Sequence, residues 1–294
     1  MRISEAVKTK LRMPKFVDVL GTAAPTIVGD EAWIDVFANV ARVLLASRLR
    51  VNDRSVDLCE IEFYLHGDDH PDPFVHRDPM QRSFGRWYFH RVGENYRGGT
   101  FKGLDITFGS DGYYGGVLIR SLRTPEGRLI NGSSLCVDYL LASTGHRSVS
   151  SLATMLSRYS VDASISALSL ACVDGRDQAS IWQTPRVGLS LARAAHCPQM
   201  LDYFARPYRF LSDPRGVRKG RVQLVIALHA RGVGRQQIVD LVGVPPRTVD
   251  AYVSAYEDGR ASNTAGPPRE AQSGPLGLCR LYGWLKTRQD SQHV

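Results

Sequence analysis

The chain has 294 residues and a mass of 32.6 kDa, which is more than one typical domain needs, so we expect one large domain and a small additional module. Its apolar fraction of 43% and charged fraction of 22% are typical of a folded soluble protein, and no apolar run is long enough to span a bilayer. The five cysteines are dispersed along the sequence and indicate neither a disulfide framework nor a zinc ribbon. The net charge of +8 and the pI of about 9.4 favour a polyanionic partner without requiring one, and the basic N-terminal segment lacks the apolar core of a secretory signal, so we expect a cytoplasmic protein with no membrane partner.

The first predicted elements are a helix and a strand. Residues 31–50 carry apolar side chains at helical spacing and end in basic residues, which predicts an amphipathic helix. From Val56 to Leu65 apolar and polar residues alternate, which predicts a strand. One face of this strand would hold Cys59, Ile61 and Phe63, and the other face would hold Glu60, Glu62 and Tyr64. The first face is expected to pack in the core, and the second to carry chemistry or to face solvent.

The next segments complete one large domain. A polar stretch from His66 to Arg86 predicts a loop, and three short strands follow it, separated by glycines, at Trp87–His90, Gly103–Phe108 and Gly116–Leu122. Residues 132–170 read as mostly helical, and residues 181–210 as further strand and turn material. We therefore predict an α+β domain over residues 1–215, a mixed, largely antiparallel curved sheet with flanking helices.

A second module is predicted after a change of composition. The segment SDPRGVRK at 212–219 reads as a linker, and three helical stretches follow it at Arg221–Arg231, Arg235–Val242 and Pro245–Asp258. This spacing predicts a small all-α helix-turn-helix module over residues 216–260. Residues 261–294 are expected to form a flexible tail with a short amphipathic end.

The helix-turn-helix pattern favours DNA binding, although similar modules also mediate protein contacts. The side chains expected to meet phosphates or bases are Arg235, Gln236, Arg247 and Thr248.

An ordered series of short segments between Cys59 and Phe210 resembles the alkyladenine (3-methyladenine) DNA glycosylase family: CEIEFYL, DPFVH, GRWYFHR, GGVLIRSL, NGSSLC, RVGLS and ARPYRF. The resemblance implies that Glu62 activates the water that attacks the sugar, that Tyr64 forms a wall of the base pocket, and that Arg120 helps hold the water and a backbone phosphate. It implies no metal, cofactor or lyase lysine. Without the resemblance, Glu60, Glu62 and Tyr64 would be the solvated face of a strand, and Arg120 would form a structural salt bridge with Glu62 or Asp105.

The same resemblance suggests a base pocket. His76 matches the family's histidine that hydrogen-bonds the flipped nucleotide, and His90, after Tyr88, falls where the family has a second stacking tyrosine. As an alternative, His66, His70 and His76 could be metal ligands.

Asp105 stands where the family commonly has an asparagine. An ionised carboxylate only accepts hydrogen bonds, so it would favour a base with an exocyclic amine, including a cytosine derivative. If burial kept Asp105 protonated, it could instead protonate the leaving base. It could also simply cap the adjacent glycine turn.

Further DNA contacts are expected around this pocket. The segment RVGENYRGG is longer than its family counterpart, so Tyr96 or Arg97 would intercalate where the base is flipped out, unless the segment is a plain surface hairpin. Arg186 and Arg209, in two of the matching segments, are also expected to contact DNA.

The expected function is that of a monofunctional DNA glycosylase, acting on double-stranded DNA with an alkylated or otherwise modified base and leaving an abasic site. One alternative is an antiviral defence glycosylase that excises a hypermodified base, such as glucosylated hydroxymethylcytosine, from phage DNA. A non-enzymatic transcriptional regulator with a helix-turn-helix is the alternative from another class. The sequence carries no indication of the oligomeric state.

Overall fold

A nine-stranded sheet and eight α-helices make up the described part of the chain, residues 30–171, 180–268 and 273–292, in a computed structural model. The strands of the main sheet are β1 (Arg48–Val51), β2 (Arg54–Gly67), β3 (Phe84–Phe89), β6 (Leu104–Phe108), β7 (Tyr113–Arg123), β8 (Leu129–Asn131), β9 (Leu168–Ala171), β10 (Trp182–Thr184) and β11 (Arg209–Leu211). A separate hairpin consists of β4 (Arg91–Val92) and β5 (Asn95–Tyr96). The helices are α1 (Asp30–Ala46), α2 (Ser133–Thr144), α3 (Val149–Leu156), α4 (Gln199–Phe204), α5 (Arg221–Ala230), α6 (Arg235–Val242), α7 (Pro246–Arg260) and α8 (Gly274–Gln292).

The sheet is built around its two longest strands, β2 and β7. Hydrogen-bonded neighbours follow the order β10-β11-β2-β7-β6-β3, with β1 joining β2 to β9 and β8 attached to β7. All of these pairings are antiparallel. The predicted α+β class with a largely antiparallel sheet is confirmed.

One face of β2 packs on α1 and forms the centre of the core. Phe37 of α1 stacks on Phe63 with ring centroids 4.5 Å apart, and Ile61 beside it is fully buried. The predicted assignment of Cys59 to this face is wrong, because a β-bulge at Cys59 shifts the register against β7. Leu58 takes its place in the core.

Two element predictions need correction. The helix predicted over residues 31–50 ends at Ala46, because Arg48–Val51 pairs with both β2 and β9 across a tight turn at Asn52, which has φ 55°. The strand β9 lies in a region that was expected to be mostly helical. It has four residues, which is too short for the alternation of apolar and polar side chains to be recognised. The predicted loop at 66–86 contains one short 3-10 helix, Pro79–Arg82.

The three helical segments predicted for the C-terminal module are α5, α6 and α7, and they pack against the sheet domain. Their core includes Leu211 and Val217 beside Trp182 of β10. The segment 212–219, expected to be a linker, is folded: the Ser212 N–H donates to the Cys59 carbonyl at 3.0 Å, and Asp213 pairs with Arg123. The module is thus part of one packed body with the sheet domain.

The C-terminal segment differs most from the prediction of a flexible tail. Within it, α8 is a 19-residue helix that packs along α7 and buries Cys279, Leu281 and Trp284. The contact depends on two glycines. A Cβ on Gly283 would lie 2.0 Å from the Tyr256 carbonyl oxygen, and one on Gly259 would lie 2.1 Å from the Arg280 carbonyl oxygen. The backbones of α7 and α8 therefore lie closer together at these two glycines than a Cβ atom would permit.

We expect Gly283→Ala to destabilise the protein by about 1–3 kcal/mol, because a methyl group at this crossing must push two packed helices apart. The loss would appear although alanine is the better helix former by about 1 kcal/mol. Urea unfolding measures it. Gly266→Ala is the matched control, because a Cβ there meets nothing within 4 Å. Equal stability of the two variants would contradict the close crossing of α7 and α8.

No helix within the described residues combines the length and apolarity needed to cross a membrane.

Candidate active site

The second face of β2 is buried. Glu60 is 3% exposed and Glu62 is 0% exposed, so the face is not the solvated surface that the sequence alone allowed. Buried carboxylates require charged or hydrogen-bonding partners, and the neighbouring strands supply them.

Glu62 is held by three donors. Its Oε1 accepts a hydrogen bond from the backbone N–H of Val187 at 2.8 Å. Its Oε2 accepts from the Tyr64 hydroxyl at 2.9 Å and from Arg120 Nη1 at 3.3 Å. Burial and the negative charge of Glu62 raise the pKa of Tyr64 well above its usual value, so the phenol stays protonated and keeps donating. The Glu62 carboxylate is thereby fixed in orientation.

Glu60 shares Arg120 with Glu62 and has two further side-chain partners. Its Oε1 accepts from Arg209 Nε at 2.6 Å and from Arg120 Nε at 3.2 Å, and its Oε2 accepts from the Ser121 hydroxyl at 2.6 Å. Burial alone would raise the pKa of Glu60, but Arg209, Arg120 and Ser121 outweigh it and the pKa is lowered. Arg120 bridges the two carboxylates, so its expected pairing with Glu62 is present. Among the described residues, no hydrogen bond or ion pair joins Arg120 to Asp105.

A third buried pair lies beside Tyr64. Arg186 Nη1 donates to Asp72 Oδ2 at 2.6 Å, both side chains are 0% exposed, and the guanidinium lies over the Tyr64 ring at 4.5 Å from its centroid. The cluster then holds three carboxylates, Glu60, Glu62 and Asp72, and three guanidinium groups, Arg120, Arg186 and Arg209. Their formal charges balance, which is what lets six ionic groups be buried together.

The expected DNA contacts of Arg186 and Arg209 are wrong. Both guanidinium groups are fully buried, and Arg209 also donates to the carbonyls of Lys219 at 3.0 Å and Gly220 at 3.3 Å. Both guanidinium groups are engaged by buried carboxylates and backbone carbonyls and are not presented at the surface.

A pocket of about 350 Å³ opens next to this cluster. Its wall is part aromatic and part polar, and it includes the pocket residues Tyr64, His76, His90 and Asp105 predicted from the sequence. The loop that follows Val187 closes one side with Gly188 and Leu189. Glu62 lies behind this wall, covered by Tyr64 and by the backbone at residues 187–188.

Asp105 is less available than the sequence suggested. It is 2% exposed, its Oδ1 accepts from His90 Nε2 at 2.8 Å, and its Oδ2 accepts from Gln81 Nε2 at 3.4 Å. A Cβ on Gly116 would lie 2.6 Å from Oδ2, so this glycine provides the space for the carboxylate. Asp105 therefore orients the His90 ring through one carboxylate oxygen, and both residues line the pocket.

His76 lines this side of the pocket, and Tyr88, also predicted as a pocket residue, contacts His76 without lining the pocket itself. The His76 ring contacts the His90 ring edge-on, with centroids 4.3 Å apart, and His76 Nδ1 lies 3.4 Å from the Tyr88 hydroxyl. Tyr88 is 2% exposed, so it supports His76 from below. One edge of His76 faces solvent, but burial of the rest of the ring and the proximity of His90 lower its pKa to about 4.

We expect the His76 imidazole to remain neutral from pH 8 down to about pH 5, because charging it costs hydration and repels His90. In an NMR titration its ring resonances should hold still through the range in which an ordinary histidine, with a pKa of 6.5, titrates. His76→Asn identifies the signal and is the control. A His76 midpoint near 6.5 would contradict this environment.

The segment expected to intercalate forms the β4–β5 hairpin. Tyr96 packs against the main core, and Arg97 is half-buried, with its backbone N–H bonded to the His90 carbonyl at 2.9 Å. The Tyr96 ring is therefore packed in place, whereas Arg97 Nε is buried without a hydrogen-bond partner among the described residues. The exposed apolar residues near the hairpin are Val92, 64% exposed, and Phe101, 71% exposed.

The residues expected to read DNA in the helix-turn-helix are at the surface, but two are engaged. Arg235 makes a bidentate contact to Asp250, with Nη2 to Oδ2 at 2.7 Å, and Gln236 bonds Asp240 at 3.0 Å. Arg247 is exposed and Thr248 is half-buried at the start of α7.

The alternative of a metal site finds no geometric support in the described ranges. His70 is 2% exposed, and its ring nitrogens bond the Leu65 carbonyl at 3.0 Å and the Tyr208 hydroxyl at 2.8 Å. His66 bonds the Asp72 carbonyl at 3.1 Å, and no group of three metal-ligating side chains occurs among these residues.

Several site residues were not predicted. Asp72 and Gln81 lie in the polar stretch read as a loop, and Gly188, Leu189 and Met200 line the pocket from a segment without periodicity. Asp72 stands in the DPFVH segment, so its proximity to His76 was the one available signal. Val187 stands in the matching segment RVGLS, but the part played by its backbone N–H does not follow from the type of its side chain.

No family model matches the chain. An uncharacterized protein of Acanthamoeba polyphaga mimivirus is 30% identical over 208 residues, an alignment that covers 65% of this chain and 92% of the viral protein. The similarity thus extends over nearly the whole relative. The chain belongs to the same family as this mimivirus protein.

Proposed function

We propose that the chain is a monofunctional DNA glycosylase, with Glu62 as the base that activates water. The observation that carries the proposal is the Glu62 carboxylate, wholly buried and oriented by Tyr64, Val187 and Arg120, directly behind the wall of an open pocket with aromatic and imidazole sides. A carboxylate beside a pocket that can hold a planar base suits hydrolysis of the bond between base and sugar. The resemblance of the matching segments adds to this support.

The proposed step is hydrolysis at the sugar C1′. The bond between C1′ and the base nitrogen breaks, and its electron pair leaves with the base. The water oxygen bonds to C1′, one of its protons passes to Glu62, and the departing base takes up a proton. The products are a free base and an abasic site. The negative charge of Glu62 also stabilises the oxocarbenium-like transition state.

Water must reach Glu62 at the junction between Tyr64 and Gly188. Both of these residues line the pocket, whereas Glu62 does not. Tyr64 donates to the Glu62 carboxylate, and so does the N–H of Val187, which precedes Gly188. We infer that the attacking water binds beside the Tyr64 hydroxyl, displacing one of the present hydrogen bonds of Glu62. The same ring would form the pocket wall against which the base lies.

A base with a bulky polar substituent is the second candidate substrate. A cavity of about 420 Å³ adjoins the base pocket, with Pro73 and Arg193 in the walls of both. Its other lining residues include His66, Arg77 and Gln199, which can hydrogen-bond a sugar such as the glucose of glucosylated hydroxymethylcytosine. Excision of such a base from phage DNA would make the chain an antiviral defence enzyme, and excision of alkylated bases would make it a repair enzyme.

The test is an excision assay on duplexes that each carry one modified base, alkylated, deaminated or glucosylated, followed by alkaline cleavage at abasic sites. We expect cleavage of at least one modified duplex and none of the unmodified duplex. A preference for alkylated DNA would overturn the defence role. DNA binding without excision of any base would overturn the glycosylase and favour a transcriptional regulator.

A further inference from the structure

A basic groove lies beside the base pocket, between the sheet domain and the C-terminal helices. We define it by Arg218, Lys219 and Arg221 on one side and Tyr252 and Leu278 on the other, and it encloses about 660 Å³. Gly188 and Leu189 line both this basic groove and the base pocket. The two openings are therefore neighbours across one loop.

The charge of the basic groove is unbalanced. Arg186 also lines the basic groove and is paired with Asp72, but Arg218, Lys219 and Arg221 form no ion pair with any residue in the described ranges. Arg221 Nε donates to the Val217 carbonyl at 3.2 Å. Arg218 and Lys219 are exposed, and they hold the fold through backbone atoms only: the Lys219 carbonyl accepts from Arg209, and the Arg218 N–H donates to Asn131. Their side chains are free to bind an anion.

The helix expected to read DNA lacks such a charge. Two basic side chains of α7, Arg247 and Arg260, stand against three acidic ones, Asp250, Glu257 and Asp258. Arg235, on the neighbouring helix, is paired with Asp250. Unpaired basic side chains of the module are thus clustered at its junction with the sheet domain, whereas the recognition helix carries more acidic than basic residues.

We propose that the basic groove binds the phosphodiester backbone of the DNA strand that carries the base to be excised. The inference rests on the proposed function, and it adds the path that the substrate strand takes over the protein surface. Phosphates flanking a base in the pocket would lie across the loop at Gly188 and Leu189, within reach of Arg218 and Lys219. The C-terminal helices then serve as a wall of the substrate site, in place of an independent reader of sequence.

The first experiment measures DNA binding without excision. Binding of a short fluorescein-labelled unmodified duplex is titrated at several salt concentrations with wild type and with Arg218→Ala/Lys219→Ala. We expect affinity to fall about tenfold and the slope of log K against log salt to become shallower by about 1.8, because two phosphate contacts are lost. Arg147→Ala/Arg158→Ala removes two exposed charges elsewhere and should leave both quantities unchanged.

A second double variant tests the competing surface. Arg235→Ala/Arg247→Ala removes two charges from the helix-turn-helix, and we expect it to leave the salt slope unchanged. If this variant lowers the slope and the basic-groove variant does not, the proposal is overturned. Urea unfolding checks that each variant folds.

Excision kinetics separate this inference from the proposed function. With a substrate duplex, the basic-groove variant should raise KM about tenfold and leave kcat within about twofold, because phosphate contacts form in both the ground and transition states. If wild type releases a base but the basic-groove variant has an unchanged salt slope, phosphate binding by the basic groove is overturned and the glycosylase function is not. A reduced slope with no base release from any duplex would overturn the glycosylase and leave the DNA-binding groove standing.

Discussion

Replacing Glu62 with glutamine is expected to lower the rate of base excision by about 10²- to 10⁴-fold, the usual contribution of a general base. Glutamine keeps the length of the side chain but cannot take up the water proton, and it cannot stabilise positive charge on the sugar. Single-turnover excision measures the effect on the chemical step. DNA affinity should stay within about twofold, because Glu62 is buried and touches no surface that binds DNA.

Glu60→Gln is the matched control for this change. It removes the same charge two residues away on the same strand, but the partners of Glu60 are Arg209, Arg120 and Ser121. The pocket residue Tyr64 donates to Glu62 and not to Glu60. We expect Glu60→Gln to excise at a rate near that of wild type wherever it is folded. Glu62→Asp, which keeps the charge but draws it back by one methylene, should fall between wild type and Glu62→Gln. Equal activity of wild type and a folded Glu62→Gln would exclude the proposed base.

Arg209→Ala is expected to destabilise the protein by about 3–5 kcal/mol, the usual cost of removing one partner from a buried ion pair. The guanidinium joins Glu60 of β2 to the Lys219 and Gly220 carbonyls before α5, so its loss leaves a buried carboxylate and two carbonyls underbonded. Urea unfolding provides the free energy. Arg235→Ala, which breaks an exposed pair, should unfold at the same urea concentration as wild type.

The same cluster sets the behaviour of the protein in acid. Because the pKa of Glu60 is lowered in the folded state, its contribution to stability is complete above the ordinary value of 4.5 and is lost as the pH falls toward the lowered pKa. Stability should therefore decline below about pH 4.5. Glu60→Gln should remove this part of the decline. An unchanged pH dependence in Glu60→Gln would show that Glu60 is not held by its arginines.

The sequence predicted the parts of the fold that depend on local periodicity. Alternation identified β2, helical spacing identified α5, α6 and α7, and glycine punctuation identified the strands near 87, 103 and 116. The bulge at Cys59 could not be predicted, because one extra residue in a strand leaves no distinctive pattern in the sequence. The packing of α8 was missed because residues 261–294 were expected to be a flexible tail with a short amphipathic end, whereas Gly283 permits the close helix contact.

The candidate site, like the fold, was predicted only in part from the sequence. Glu62, Tyr64 and Arg120 come together as the matching segments implied. Arg186 and Arg209, in two of the matching segments, were expected to contact DNA, and only the three-dimensional arrangement of Asp72 and Glu60 shows that they are buried. Asp105 was expected to face the base, but His90, fifteen residues earlier, occupies its oxygen.

The most direct test of base hydrolysis is mass spectrometry of a duplex before and after incubation with wild type and with Glu62→Gln. For wild type we predict a free modified base and an intact strand whose mass has fallen by that base and gained one water. For Glu62→Gln we predict neither product. A covalent enzyme–DNA adduct trapped by borohydride, a strand cut without loss of a base, or equal base release by both proteins would contradict the account.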